Sequence, residues 1–408
     1  MNDRAFAPQL FDDPLFQKFA ERALALTSRG GAEYGECAAT AGRIPAGDRD
    51  TWHSAWSATA SRVADAAQNS AAHGHRVSAA EGFWRATTYH RIAYQPLFGS
   101  PVDPRLAESF ARESACFARH AALADRPVEL VEIPFEDTTL PGCLCLPDDD
   151  TTVARPTVVG VNGYDSDIHE MYWSHALPAV RRGYACLLVD GPGQGRALVE
   201  QGLRMRPDWE TVLRPVMDYA VGRPEVDASR IAVMGWSFGG YLAPRGVSGD
   251  HRVAALIADP GQWDPLDAMP LPKQVRDRLP DIDPRAIDEF LAPVANDPLM
   301  RWLMIQRALW VHGLDSLGEY VIEMDRYRLS GVAARIACPT LVVANDSDPL
   351  SAQAHLLHDA LTGPKALVRF RAEDGAPGHC QAWNRSLFDQ HVFDWLDTVL
   401  DGDRGGTA

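Results

Sequence analysis

The chain has 408 residues, a length that corresponds to about two or three domains. Its 39 Lys and Arg stand against 55 Asp and Glu, and the formal charge of −16 argues against binding to nucleic acids or to anionic membrane surfaces. A hydrophobic content of 46% with 23% charged residues excludes a mainly disordered chain, and no apolar run is long enough to span a membrane.

The first part of the chain has the spacing of helices and almost no strand signal. Asp50 precedes Trp52 and Trp56, which would share one helical face at i and i+4. Apolar residues recur at helical spacing in Val77–Tyr94 and again in Pro104–Ala124. We interpret the aromatic residues of these runs mainly as the core between packed helices.

From about residue 127, short β-rich runs alternate with helical ones such as Trp209–Ala220 and Gly240–Val247. Strands that alternate with helices predict an α/β protein with a mainly parallel central sheet flanked by helices. The predicted strands are Val128–Phe135, Pro156–Asn162, Tyr184–Asp190, Arg230–Gly235, Val253–Asp259, Pro339–Ala344 and Ala366–Phe370.

The alternation is interrupted between Asp264 and Ala337, where the connection is much longer than an ordinary loop. Apolar residues from Leu299 to Trp310 recur there at helical spacing. We therefore predict three parts: a helical N-terminal cap over 1–125, a catalytic domain over 126–408, and within that domain a helical lid insertion over 264–337.

The clearest functional motif is G-x-S-x-G at residues 235–239, directly after the apolar run Ile231–Met234. A serine in a tight strand-to-helix turn has a strained backbone, and larger side chains beside it would clash. The helix that follows points its first N–H groups towards a developing oxyanion. The motif predicts that Ser237 is the nucleophile of a serine-type enzyme.

A serine hydroxyl needs a general base and an acid that orients the base, and in this type of site they follow the serine in the order acid, then histidine. Asp346 and Asp348 come after the strand that ends at Ala344. We select Asp348 because about four residues usually separate such a strand from its acid, and Asp346 is the alternative. His379, in a Gly- and Pro-rich loop after the last strand, is the predicted base.

The predicted oxyanion hole uses two backbone N–H groups. One belongs to Tyr164, in the loop after an earlier central strand, and the other to Phe238, next to the nucleophile. The residues that we expect to bind the substrate are Tyr89, His90, Asp165, Trp236 and Trp263.

Other motifs do not indicate a cofactor. The loop Asp190–Gly195 has the spacing G-P-G-Q-G and no P-loop lysine after it, so it predicts a tight loop at the mouth of the pocket rather than a nucleotide site. His73 and His75 lack a third nearby ligand, and Cys143 and Cys145 lack a partner pair. We expect neither a metal nor an organic cofactor.

Four segments together resemble the α/β-hydrolase superfamily, most strongly between residues 156 and 395. They are Asp190–Gly195, the serine motif at 235–239, Arg335–Thr340 and Glu373–Cys380. More narrowly, the chain is similar to the branch that holds 2,6-dihydroxypseudooxynicotine hydrolase, the fungal heptaketide hydrolases and the fermentation-respiration switch protein. The resemblance implies an α/β-hydrolase fold behind a helical segment, with Ser237, Asp348 and His379 as nucleophile, acid and base.

Two segments depart from that branch. Ala376–Gly378 makes the loop before His379 longer than the family pattern, and Pro260–Asp264 has no clear match in it. Both lie where a substrate is expected to bind, so the substrates of the branch are not transferred to this chain.

The resemblance implies that several relatives cleave a carbon–carbon bond next to a ketone. We therefore expect a serine-type hydrolase that cleaves such a bond, or an ester, in a small or medium-sized aromatic or polyketide-like substrate. One alternative is an acyltransferase or cyclase that uses the same acyl-enzyme. The other is a non-catalytic interaction or regulatory protein on a hydrolase scaffold.

Cysteine usage and the N-terminal stretch predict a cytoplasmic protein. The seven cysteines are odd in number and scattered, which is typical of reduced thiols. The first residues are acidic and lack the layout of a secretory signal. The expected partner is a small-molecule substrate, with no nucleic acid and no membrane, and the faces of the N-terminal helices would allow a homodimer.

Overall fold

The computed structural model of the chain describes residues 8–269 and 271–401. The first seven residues, which belong to the stretch weighed above as a secretory signal, lie outside them. Within these ranges, no helix combines the length and the apolar character needed to cross a bilayer.

The chain forms two compact units. The first, which we call the helical unit, consists of Met1–Glu129 and Phe290–Leu317. The second, the sheet unit, consists of Leu130–Glu289 and Gly318–Ala408. Part of the segment predicted as a lid insertion therefore belongs to the helical unit.

The helices are numbered in chain order. They are α1 (Pro14–Leu26), α2 (Tyr34–Ala41), α3 (Arg49–Ala72), α4 (Arg76–Tyr94), α5 (Pro104–Leu123), α6 (Ile168–Met171), α7 (Leu177–Val180), α8 (Gly195–Val199), α9 (Glu210–Val221), α10 (Gly239–Val247), α11 (Lys273–Arg276), α12 (Pro284–Leu291), α13 (Pro298–Met300), α14 (Trp310–His312), α15 (Leu317–Met324), α16 (Ala354–Ala360) and α17 (Arg385–Asp401). Two π-helical segments, Tyr172–Ala176 and Arg301–Leu309, join α6 to α7 and α13 to α14.

Aspartates cap four of the helices of the helical unit, including Asp297 at α13. Asp13, Asp48 and Asp103 each accept a hydrogen bond from a backbone N–H in the first turn, at 2.9, 2.9 and 2.8 Å. Such caps satisfy N–H groups that have no partner within the helix. The cap of α3 is thus Asp48, two residues before the Asp50 that the sequence pattern singled out, and Asp50 lies in the first turn.

Tryptophans form the core of the helical unit. Trp52 and Trp56 of α3 are both fully buried, and the indole N–H of Trp52 donates to the carbonyl of Ile92 at 2.8 Å. Trp302 is also buried, and its indole N–H donates to the carbonyl of Gln95 at 2.7 Å. These contacts explain why a segment so far along the chain is part of this unit.

A single eight-stranded sheet organises the sheet unit, in the order β1-β2-β4-β3-β5-β6-β7-β8. β2 runs antiparallel to β4, and the pairs from β4 through β8 are parallel. The strands are β1 (Val128–Phe135), β2 (Thr138–Cys145), β3 (Arg155–Val161), β4 (Ala185–Val189), β5 (Val226–Trp236), β6 (Ala255–Asp259), β7 (Thr340–Asn345) and β8 (Lys365–Phe370).

The central strands are covered on both faces. Every residue of β4 and of β6 is buried, as the continuous apolar runs predicted. Parallel strands place their carboxyl ends at one edge of the sheet, and the loops that follow β3, β5 and β7 leave from that edge. The predicted strands agree with the observed ones here, because a parallel strand that is buried on both faces consists mainly of apolar residues.

Candidate active site

Ser237 lies in the turn between β5 and α10 with φ of +58°, in the left-handed region that non-glycine residues rarely adopt. Its N–H donates to the carbonyl of Asp259 at 2.7 Å. Its carbonyl accepts from Gln262 Nε2 at 2.7 Å and from the N–H of Gly240 at 2.9 Å. These bonds hold a strained conformation that presents the hydroxyl at the end of the strand.

The flanking glycines are required by close backbone contacts. A Cβ on Gly235 would lie 2.0 Å from the carbonyl oxygen of Gly239. A Cβ on Gly239 would lie 2.3 Å from the carbonyl oxygen of Val161 in β3. The G-x-S-x-G pattern therefore reflects the packing of the turn against its own helix and the neighbouring strand.

The hydroxyl of Ser237 is hydrogen-bonded to His379, with 2.7 Å between Oγ and Nε2. The other ring nitrogen of His379, Nδ1, is 2.7 Å from Oδ2 of Asp348. The Asp348 side chain is 3% exposed whereas that of His379 is 40% exposed. The three side chains therefore form one hydrogen-bonded chain that runs from a buried carboxylate to an accessible ring and hydroxyl.

Asp348 is held in its charged form. Burial opposes that charge, but the electrostatic interaction and hydrogen bond with His379 and the N–H groups of Leu350 and Cys380 outweigh it, and the pKa of Asp348 is lowered. Asp346 instead forms an ion pair with Arg369, with 2.9 Å between Oδ1 and Nη1. The structure thus brings Asp348, and not Asp346, to the histidine.

Two residues that the sequence analysis did not single out tie the acid loop to the histidine loop. Nδ2 of Asn345 donates to the carbonyls of Ala376 and Gly378 at 2.8 and 2.9 Å. The hydroxyl of Ser347 accepts from the N–H of Gly378 at 2.9 Å. These hydrogen bonds attach the long loop before the histidine to the end of β7. The sequence signal for them was an amide in the last residue of the strand and a hydroxyl two residues later.

The segments that carry both predicted oxyanion donors meet at the nucleophile. A Cβ on Gly163 would lie 2.9 Å from Cβ of Ser237, so the peptide that joins Gly163 to Tyr164 lies beside the serine. The rings of Tyr164 and Phe238 contact edge to face, with 5.0 Å between their centroids. The loop after β3 and the turn after β5 therefore meet beside Ser237.

The other predicted pocket residues of the sheet unit lie in different settings. Trp236 is buried, with its ring 4.6 Å from the guanidinium of Arg385 and 6.2 Å from the ring of Trp173. Asp165 and Trp263 are half-buried, in the loops after β3 and β6. Trp236 therefore packs against interior side chains behind the nucleophile.

Tyr89 and His90 lie in α4, inside the helical unit. The Tyr89 hydroxyl donates to Oε2 of Glu36 at 2.6 Å and accepts from the N–H of Glu33 at 2.8 Å. Burial lowers the pKa of His90 to about 4, so its ring is neutral near pH 7. Both side chains are buried within that unit.

The sheet is mainly parallel, and it carries a serine at a strand-to-helix turn with a histidine and an aspartate hydrogen-bonded in series to it. This arrangement defines an enzyme of the α/β-hydrolase class. The chain belongs to the α/β-hydrolase family. Residues 158–387 match the family model described as the alpha/beta hydrolase family, and residues 47–258 match the model described as esterase FrsA-like.

Curated relatives match over almost the whole chain. It is 35% identical to hydrolase LUC6 of Fusarium sp, over 96% of this chain and 98% of the relative. It is 34% identical to the 20-hydroxy-prefusarin hydrolase FUS2 of Gibberella moniliformis, over 91% of this chain and 93% of the relative. The chain is therefore a hydrolase, and these comparisons do not support a non-catalytic scaffold.

Solved structures show the same fold. The crystal structure of 2,6-dihydroxy-pseudo-oxynicotine hydrolase matches with a TM-score of 0.73 and 22% identity, over 94% of this chain and 96% of that one. AbyA5 matches with a TM-score of 0.62 and 17% identity, over 93% and 94% of the two chains. The fold expected from the sequence, with its mainly parallel sheet, is confirmed.

Proposed function

We propose that the protein is a serine-type hydrolase that cleaves a carbon–carbon bond next to a ketone, or an ester, in a small or medium-sized aromatic or polyketide-like substrate. Ser237 is the nucleophile, His379 the general base and Asp348 the acid that orients it. The observation that carries this proposal is the chain of two 2.7 Å hydrogen bonds that joins the three side chains.

The first step is attack on the substrate carbonyl. His379 takes the proton of the Ser237 hydroxyl as the new C–O bond forms, and the carboxylate of Asp348 stabilises the imidazolium that results. The negative charge moves to the carbonyl oxygen, which the N–H groups of Tyr164 and Phe238 would bind. Two such donors in a protected site lower the barrier by stabilising charge that exists only in the transition state.

Bond cleavage then depends on the leaving group. In an ester, an alkoxide leaves and His379 returns the proton to its oxygen. In a β-dicarbonyl, the carbon leaves as an enolate, whose charge is delocalised onto the second carbonyl oxygen, and the same imidazolium protonates that carbon. In an electron-rich aryl ketone, the ring carbon takes the proton of the imidazolium as its bond to the acyl carbon breaks, and a neutral arene leaves. Water activated by His379 then hydrolyses the acyl-enzyme, and both reactions use one set of residues.

The names of relatives support the substrate class. One relative acts on 20-hydroxy-prefusarin by its name, and a protein of the same fold is a 2,6-dihydroxy-pseudo-oxynicotine hydrolase. The residue after the serine is part of an aromatic cluster: the ring of Phe238 lies 5.0 Å from that of Tyr164, 5.5 Å from Tyr241 and 5.8 Å from Tyr327.

The nucleophile is tested with a fluorophosphonate on the full-length protein. We expect one phosphonyl adduct, mapped by peptide mass spectrometry to Ser237, and none in Ser237→Ala. His379→Ala should be folded but labelled far more slowly, because the hydroxyl loses its base. A folded wild-type protein without an adduct at Ser237 would refute the proposal.

Product analysis separates the two hydrolytic reactions from acyl transfer. Aryl esters and 1,3-diketones are incubated with the enzyme in the absence and presence of an added alcohol or amine. We expect the free acid as product in both conditions, together with a ketone when the carbon–carbon bond of a 1,3-diketone is cleaved. An acylated acceptor as the main product would favour the acyltransferase.

The same proposal includes a cytoplasmic location. No disulfide joins any of the seven cysteines, all of which lie in the ranges that the structure describes. Reduced thiols are typical of the cytoplasm. Imaging a fluorescent fusion in the native host tests this, and a signal confined to a secretory compartment would contradict it.

A further inference from the structure

The loop Asp190–Gly195, whose spacing differs from that of nucleotide-binding loops, packs against the loop after β3 that contains Tyr164. β3 and β4 are parallel neighbours, with Val161 opposite Val189, so the loops that follow them leave the sheet side by side. Asp190 accepts hydrogen bonds from the side chain of Asn162 at 3.0 Å and from the N–H of Ile168 at 2.9 Å. Its carboxylate therefore holds both ends of the segment that contains Tyr164.

Gln194 makes the closest connection between the two loops. Its Nε2 donates to the carbonyl of Asn162 at 2.8 Å and to the carbonyl of Gly163 at 3.0 Å. Its Oε1 accepts from the N–H of Gly191 at 2.9 Å. The side chain is 1% exposed, so its amide is fixed by three hydrogen bonds in the interior.

The glycines of this loop let it close around that amide. A Cβ on Gly195 would lie 2.0 Å from Oδ2 of Asp190, and Gly193 has φ of +84°. A Cβ on Gly191 would lie 2.5 Å from the ring of Trp209. The G-P-G-Q-G spacing thus forms a tight loop around the side-chain amide of Gln194, and this amide faces the Gly163 peptide.

We propose that Gln194 is a positioning residue for the oxyanion hole, which orients and polarises the peptide between Gly163 and Tyr164. This inference rests on the proposed function. The carbonyl of Gly163 and the N–H of Tyr164 belong to one planar peptide, so a bond that fixes the carbonyl also fixes the direction of the N–H. Hydrogen bonds in series strengthen one another, so a donor on that carbonyl makes the N–H a better donor to the oxyanion.

The test compares two substitutions of Gln194 with a matched control in the full-length protein. Gln194→Met removes both donated hydrogen bonds, and Gln194→Glu, of equal size, places an oxygen against the two carbonyls. The control is Gln201→Met, since Oε1 of Gln201 has no hydrogen-bond partner among the described residues. The measured quantities are the rate constant for labelling of Ser237 by a fluorophosphonate, kcat and KM for a 4-nitrophenyl ester, and the melting temperature.

We expect both Gln194 variants to lower the labelling rate constant and kcat by roughly tenfold, less than the loss of a donor itself, with KM almost unchanged. The control should stay within about twofold of the wild type. Should Gln194→Met not fold, Gln194→Glu provides the same comparison.

Two results would overturn the inference: labelling rates of the folded Gln194 variants within about twofold of the wild type, or a loss that lies wholly in KM. A wild-type protein that is not labelled at Ser237 would instead refute the proposed function. The two failures are therefore distinguishable in one set of measurements.

Discussion

Asp259 and Arg385 form an ion pair in the interior of the sheet unit, with 3.1 Å between Oδ2 and Nη1 and each side chain 1% exposed. The backbone carbonyl of Asp259 accepts the N–H of Ser237, and Nη1 of Arg385 also donates to the carbonyl of Cys380, next to His379. The ion pair thus connects Asp259, whose backbone binds the N–H of Ser237, to the loop that carries His379.

Removing one partner of this ion pair should destabilise the fold, because the other partner is left buried and charged. Arg385→Met is expected to lower the free energy of unfolding by about 3–5 kcal/mol. The matched control is Arg369→Met at the exposed pair with Asp346, where a change of at most about 1 kcal/mol is expected. Urea unfolding measures both, and equal effects at the two sites would contradict the assigned burial.

The three hydrogen-bonded side chains are expected to act as a unit. Ser237→Ala and His379→Ala should each remove most of the turnover, and the double variant should be little worse than either single one, because each change disables the same step. The values of kcat/KM for an aryl ester provide the comparison. Losses that multiply would mean that the two residues act independently.

The identity of the acid can be tested at two neighbouring positions. Asp348→Asn should reduce kcat severely, on the order of 10⁴-fold, since an amide favours the wrong tautomer of the base. Asp346→Asn should change kcat little, because Asp346 pairs with Arg369 at the surface. A severe loss at 346 with a mild one at 348 would assign the acid role to Asp346.

The depressed pKa of Asp348 predicts a pH dependence of stability. The native pKa lies below the unfolded value, so the carboxylate stabilises the fold above about pH 4, and this contribution disappears as the pH falls through the native pKa. The difference in unfolding free energy between the wild type and Asp348→Asn should therefore be larger at pH 6 than at pH 3. Urea titrations at the two pH values measure it, and a difference that grows on acidification would contradict the sign.

The backbone contacts of the serine turn predict a sharp difference between two glycines. Gly235→Ala should destabilise the sheet unit by about 1–3 kcal/mol or more, since the new Cβ would lie 2.0 Å from a carbonyl oxygen. Gly222→Ala at the end of α9 would place its Cβ at an ordinary 3.4 Å, with φ of −75°, and should change stability by less than about 0.5 kcal/mol. Thermal unfolding of both variants provides the measurement, and equal stability would refute the packing argument.

The central sheet was predictable because strands buried on both faces need continuous apolar runs, and β4 and β6 have them. The serine turn was predictable because the turn requires glycine at 235 and 239, and this spacing around a serine is a recognisable sequence motif. Contacts between distant segments were not predictable in the same way. Nothing in the local pattern around Trp302 reveals that its indole reaches Gln95, and so residues near it were expected in a lid rather than in the helical unit.

The same reason explains what was missed at the site. Asn345, Ser347 and Gln194 are ordinary polar residues in sequence. Their importance comes from backbone groups of other loops, which are carbonyls for Asn345 and Gln194 and an N–H for Ser347. The pattern before Trp52 drew attention to Asp50, whereas the helix is capped by Asp48. A cap is defined by where the chain turns, and two aspartates so close together both fit the local preference.

The left-handed backbone at Ser237 has an evolutionary consequence. An L-residue in that conformation destabilises the native state by roughly 1–2 kcal/mol relative to glycine, so selection for a robust fold alone would favour Ser237→Gly. Only the need for a reactive oxygen opposes that replacement. A paralogue that had lost its chemistry would thus be expected to drift towards glycine here while keeping Gly235 and Gly239, whose role is purely steric.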